Sequence, residues 1–179
     1  MNQQKKSVKL AKMGMLVALS VILVYFVHFP IFPVVSFLEY DPADVPILIG
    51  TFAFGPLAGL VITVVVSLVQ GLTVSAGSGL YGIIMHIIAT GAFVLTAGLL
   101  YRHKKTKKEA ILALGAGTAA MVIVMYFANL WITPLFTGWP VSAVKEVMPF
   151  ILAFNAVKAG INSIATFLLY KRISAFLHR

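Results

Sequence analysis

The chain has 179 residues, of which 60% are hydrophobic and 11% charged, with fourteen Lys or Arg against five Asp or Glu. A soluble domain carries roughly 25% charged residues, and here apolar residues recur in blocks of about twenty, the length of a bilayer-crossing helix. The composition therefore excludes a soluble enzyme or carrier, and the lack of cysteine excludes disulfides, thiolate metal sites and cysteine nucleophiles.

Six apolar helices are predicted, as an all-α membrane bundle in one domain over residues 1–179. The first covers about 8–28, after the basic start MNQQKKSVK. A proline-rich connector follows, FPIFPVVSFLEYDPADVP. The second, LIGTFAFG, ends at Gly55-Pro56 and is too short to cross unless it begins near Asp44. The third covers about 57–75 and the fourth about 80–101. RHKKTKKE is the strongly charged connector before the fifth, about 110–135. The sixth covers about 149–170. Ten-residue alternation of the kind that builds transmembrane barrels is not found.

Basic residues set the orientation of such a bundle, because short cytoplasmic loops collect Lys and Arg. Lys5, Lys6, Lys9 and Lys12 open the first helix. Arg102, Lys104, Lys105, Lys107 and Lys108 follow the fourth, and Lys171, Arg172 and Arg179 follow the sixth. With six crossings all three clusters share one side, so both termini are expected in the cytoplasm. That accounts for twelve of the fourteen basic residues. The positive charge thus reports topology, and a nucleic-acid partner is not expected.

The acids are Glu39, Asp41, Asp44, Glu109 and Glu146. All are read as loop residues, three of them in the first outer loop. Without an intramembrane carboxylate relay or an internal repeat, a self-sufficient carrier or channel is disfavoured. A phosphate loop, H-E-x-x-H and G-x-S-x-G are each absent from the sequence, so neither ATP hydrolysis nor a hydrolase is expected.

Lys158 stands apart. It lies about ten residues into the sixth predicted helix, roughly 13–15 Å from the nearer interface. That is beyond the reach of a snorkelling lysine stem. An unpaired charge at that depth costs about 2.5–3.5 kcal/mol, so Lys158 must face a cavity or a partner. Asn155 and Asn162, at i−3 and i+4, share its face. Asn129 of the fifth helix is expected at the depth of Asn155, with Glu39 and Tyr40 folding down from the outer loop. The expected result is a pocket open to the outside. The rival reading is that these amides and the lysine are interhelical glue, which would make the chain a structural protein. His86 and Gln70 are read as helix–helix hydrogen-bonding residues, without the neighbours a metal site needs. Gly14 and Ala18 place small residues four apart on the first helix, where another helix could approach.

Three stretches resemble a known family. FLEYDPADVPILIGTFAFGPLAG, FANLWITP and PFILAFNAVKAGINSIATFLLYKRIS look like the substrate-binding S components of energy-coupling factor (ECF) vitamin transporters, most similar to the riboflavin-specific (RibU) family. The resemblance spans essentially the whole chain. Ala153 stands where family members usually have Pro, and Ala159 where they have Gly; the Asn–Lys spacing is kept. It implies a vitamin-capture subunit of the bacterial plasma membrane, without catalytic activity or cofactor. The outer loop between helices one and two would act as a lid. Asn129, Asn155 and Lys158 would meet the polar edge of an isoalloxazine ring, and Glu39 the ribityl hydroxyls. Gly14 and Ala18 would meet a transmembrane coupling subunit, itself joined to two ATPases. Pantothenate, pyridoxine or another vitamin remains the alternative ligand; a carboxylate-bearing one would give Lys158 a counter-ion.

Overall fold

The computed structural model describes residues 3–177; Arg179 of the third basic cluster lies outside them. Six α-helices follow in order: α1 Gln3–Phe26, α2 Asp44–Phe54, α3 Pro56–Leu72, α4 Gly79–Tyr101, α5 Lys107–Thr137 and α6 Val141–Leu177. Four of the described helical segments are long and apolar enough to cross a membrane, those containing α1, α4, α5 and α6. The other two, α2 and α3, are shorter apolar helices.

Two boundaries differ from the sequence reading for local reasons. α5 starts earlier because Thr106 caps it, its side chain accepting from the Glu109 N–H at 3.2 Å; Glu109 sits in the first turn, where a carboxylate suits the helix dipole. α6 starts at Val141, so Lys145 and Glu146 are helical and not in a loop. The apolar stripe Val144, Met148 and Ile151 explains this. All three are buried and cluster with Val35 of the loop after α1.

That loop carries a small hairpin, with β1 (Phe29–Pro30) antiparallel to β2 (Glu39–Tyr40) and Phe29 opposite Tyr40. From β2 the chain turns inward instead of staying at the surface. Ser20, deep in α1, donates to the Ala43 carbonyl at 3.0 Å, so α2 begins inside the bundle. Non-helical backbone at membrane depth is stable only when protein covers it, and Asp41 and Ala43 are both buried. The eleven residues of α2 rise about 16 Å, and the tight Gly55-Pro56 turn then sends α3 back. Gly55 has φ 97°, a conformation that favours glycine, and Pro56 opens α3 at a position that needs no N–H.

The basic clusters meet at one end of the bundle. Lys9 sits 5.8 Å above the Phe54 ring, and Lys171 lies 5.8 Å above that of Tyr170. Tyr170 packs edge-on to Tyr101 and Phe52, with centroids 5.9 and 5.5 Å apart. Tyr101 immediately precedes Arg102. Close packing here depends on Gly98, where a Cβ would fall 2.7 Å from Thr51 and 3.0 Å from the Pro56 backbone. Gly98→Val is therefore expected to cost about 1–3 kcal/mol through overpacking, read as a lowered thermal midpoint of the purified protein.

Candidate ligand-binding site

The site lies toward the other end, where the inward-turning loop meets α6. Lys158 is 6% exposed and its Nζ donates to Asp41 Oδ2 at 2.7 Å. The other Asp41 oxygen accepts the Ala43 N–H at 3.0 Å, in a turn that locks the carboxylate to its own backbone. One turn along α6, Asn162 ties three elements together. Its Nδ2 donates to the Asp41 carbonyl and to Asp44 Oδ2, both at 3.1 Å. Its Oδ1 accepts the Tyr40 hydroxyl at 3.1 Å. Burial and the adjacent Asp41 carboxylate raise the Tyr40 phenol above its ordinary value, so it remains a donor at neutral pH.

Asp44, fully buried at the start of α2, continues the network into α4. Its Oδ1 accepts from Thr90 Oγ1 at 2.7 Å, and His86 Nε2 lies 3.5 Å away. His86 Nδ1 is 2.7 Å from Ser67 Oγ of α3. Two carboxylates, a lysine, an asparagine and a histidine from three helices and the loop thus form one connected polar core.

Next to this core is a cavity of ≈ 110 Å³, measured as room for water centres. Its polar wall includes Glu39, Asp41, Gln70, His86, Asn155 and Lys158. Its apolar wall includes Leu38, Met85, Met121, Met125 and Phe154, and methionines suit the faces of a flat aromatic ligand. An ammonium has three donors, and one is engaged by Asp41. Asn155 donates to Ile151 O one turn back at 2.8 Å.

Of the five ligand residues expected from the sequence, Glu39, Asn155 and Lys158 line this cavity. Tyr40 is buried behind Asp41 and bonds Asn162. Asn129 is fully buried and bonds Met125 O at 2.8 Å and Thr133 Oγ1 at 2.9 Å. Thr133 in turn lies 3.0 Å from the Tyr81 hydroxyl, so Asn129 braces a cavity-lining tyrosine from behind. Gly14 and Ala18 are both on the exposed side of α1, and a Cβ at Gly14 would meet nothing within 4 Å.

Three residues of the core went unrecognised in the sequence. Asp41 and Asp44 are read from sequence as outer-loop residues, and a counter-ion for Lys158 is foreseen from a carboxylate-bearing ligand. Asp41 fills that role instead, because the loop returns to the depth of α6. His86 was read only as a helix–helix contact, yet it faces a carboxylate. The available signal was Lys158 itself: a lysine that cannot snorkel demands an acid, and the DPAD run held the nearest two.

The family described as "ECF transporter, substrate-specific component" matches residues 8–170. The chain belongs to this family of S components. Among its relatives is the riboflavin transporter RibU of Staphylococcus aureus (strain TCH60), 33% identical, with 80% of this chain and 78% of that one covered. The riboflavin transporter FmnP of Bacillus subtilis (strain 168) is 28% identical over 80% of each. The solved S component of a bacterial ECF transporter superposes with a TM-score of 0.82 at 34% identity, covering 99% of this chain and 100% of that one. The S component is accordingly a mostly helical, multi-pass protein of the bacterial cell membrane and a transport subunit, not an enzyme. It serves its transporter alongside the coupling and ATPase subunits of the ECF assembly.

Proposed function

We propose that this S component captures riboflavin, with Lys158 and Asn155 meeting the polar edge of the isoalloxazine ring and Glu39 the ribityl chain. The observation that carries the vitamin assignment is the Lys158–Asp41 pair at 2.7 Å. A lysine without a counter-ion would favour a carboxylate-bearing vitamin such as pantothenate. Lys158 already has its anion, so a neutral ligand with carbonyl acceptors suits it better. The methionine-rich walls and the riboflavin transporters among the relatives support the same reading.

The chain then works as one domain that crosses the membrane six times, α2 and α3 completing the count. The basic end faces the cytoplasm with both termini, which the shared position of Lys9, Tyr101 and Lys171 supports. The cavity opens outward beneath the loop over residues 27–43, which serves as its lid and must move for a ligand to pass Leu38. Tyr40 and Asn129 hold the wall in shape from behind. Gly14 and Ala18, on the exposed side of α1, face the coupling subunit, where small side chains allow close helix approach.

Titrating the detergent-purified protein with riboflavin tests this, read as saturable quenching of flavin fluorescence at about one ligand per chain. Pantothenate and pyridoxine serve as competitors. Saturable binding of either, with no response to riboflavin, would overturn the vitamin assignment.

A further inference from the structure

The buried core contains Asp41, Asp44 and Lys158, which are 3%, 0% and 6% exposed. Two carboxylates against one lysine leave a net negative charge where water is excluded, an arrangement of high free energy. Protonating Asp44 would not relieve it well. Its oxygens already accept from Thr90 and Asn162, so a carboxylic proton there would find donors on both of those sides. Asp41 is bound by the Ala43 N–H and the Lys158 ammonium, again both donors.

His86 can supply the missing charge. Its Nε2 is buried without a hydrogen-bond partner, yet stands 3.5 Å from Asp44 Oδ1. Toward a carboxylate that nitrogen must carry hydrogen. The other nitrogen, Nδ1, faces Ser67 Oγ. The single Ser67 proton can go to Nδ1 or to Thr63 O, each 2.7 Å away. If it goes to Thr63 O, Nδ1 also donates and the ring is a cation. The charge count favours that second arrangement.

We propose that His86 is a positioning residue of the riboflavin site, an imidazolium that neutralises Asp44 and so leaves Lys158 to Asp41 and the ligand. This rests on the riboflavin reading above. Without the imidazolium, Lys158 is, among the described residues of this core, the one cation for both carboxylates, and Asn162 holds them near each other by donating to the Asp41 carbonyl and to Asp44 Oδ2. The ammonium is then drawn toward Asp44, and its remaining donors turn away from the cavity. Among the described residues, the other titratable groups around this region are Glu39, Tyr40 and Asp41 of the loop and His28 beside it. Asp44 of α2, Tyr81 of α4 and Lys158 of α6 complete the set; α3 and α5 contribute none to the cavity wall.

Riboflavin affinity at neutral pH tests this. His86→Gln should bind about tenfold more weakly than the wild type, because the second carboxylate is left without its cation. The Asp44→Asn/His86→Gln double variant, with that carboxylate also removed, should return to within about threefold of the wild type. A His86→Gln protein with unchanged affinity overturns the proposal, as does a double variant no tighter than His86→Gln, since His86 would then merely pack. A ligand-free readout covers the case of misfolded variants or a wild type that binds no riboflavin. Ring ¹⁵N shifts at neutral pH, in a protein with His28, His103 and His178 replaced by Gln, should show both His86 nitrogens protonated. A single protonated nitrogen overturns the inference, whereas absent riboflavin binding overturns only the vitamin assignment.

Discussion

Lys158→Ala is expected to weaken riboflavin binding by about 10- to 100-fold, since a hydrogen bond from a charged donor contributes about 1.5–3 kcal/mol and each factor of ten is about 1.4 kcal/mol. It should also lower stability, because Asp41 is left buried and unpaired, a loss of about 3–5 kcal/mol. The two effects can be separated. Asp41→Asn/Lys158→Met removes both charges, so its thermal midpoint should recover most of the loss while binding stays weak. The double variant still lacks the donor proposed to meet the ligand, and methionine fills the volume of the lysine stem. Titration and thermal unfolding of the same three preparations decide the matter. Tight binding by the double variant would mean that Lys158 serves the fold and not the ligand.

Asn162→Leu should be the more damaging change to the fold. The substitution conserves volume but removes every partner that Asn162 supplies: to Tyr40, to the Asp41 carbonyl and to Asp44 Oδ2. Stranding a buried polar group costs about 1–3 kcal/mol, and more for a charged one, so three at once should remove about 4 kcal/mol or more. Tyr40→Phe is the graded control; it breaks one of those bonds and should cost about 1 kcal/mol. Thermal unfolding in detergent measures both. Binding should fall with Asn162→Leu even where protein folds, since Asn162 helps hold the loop that carries Asp41. If the Asn162→Leu midpoint matched that of Tyr40→Phe, the three-way anchoring would be wrong.

The legible and illegible parts of this site divide by sequence distance. Lys158, Asn155 and Asn162 lie on one helix, and helical spacing alone puts them on one face. Lys158 could be recognised as needing a partner because its depth follows from the rise per residue. The partner could not be chosen the same way. Glu39 and Asp41 are two residues apart, and a loop has no fixed period to say which one points inward. Asn129 depends on helix rotation, which span position alone does not give: it bonds Thr133 and Met125 and is not among the residues lining the cavity. The start of α6 was missed because Lys145 and Glu146 read as a loop. Their neighbours Val144 and Met148 found a surface to bury against only once the loop around Val35 was in place.

What the amino-acid sequence determined by itself was everything that depends on summed hydrophobicity and on the placement of exposed charge. That includes the membrane class, the helical spans, the common end of the basic clusters and the demand that Lys158 be paired. The tertiary structure decided how that demand is met. The bond from Lys158 to Asp41 joins positions 117 residues apart. It forms because Ser20 and Asn162 hold the loop between α1 and α2 inside the bundle, where excluded water makes two carboxylates, one lysine and His86 a single electrostatic unit.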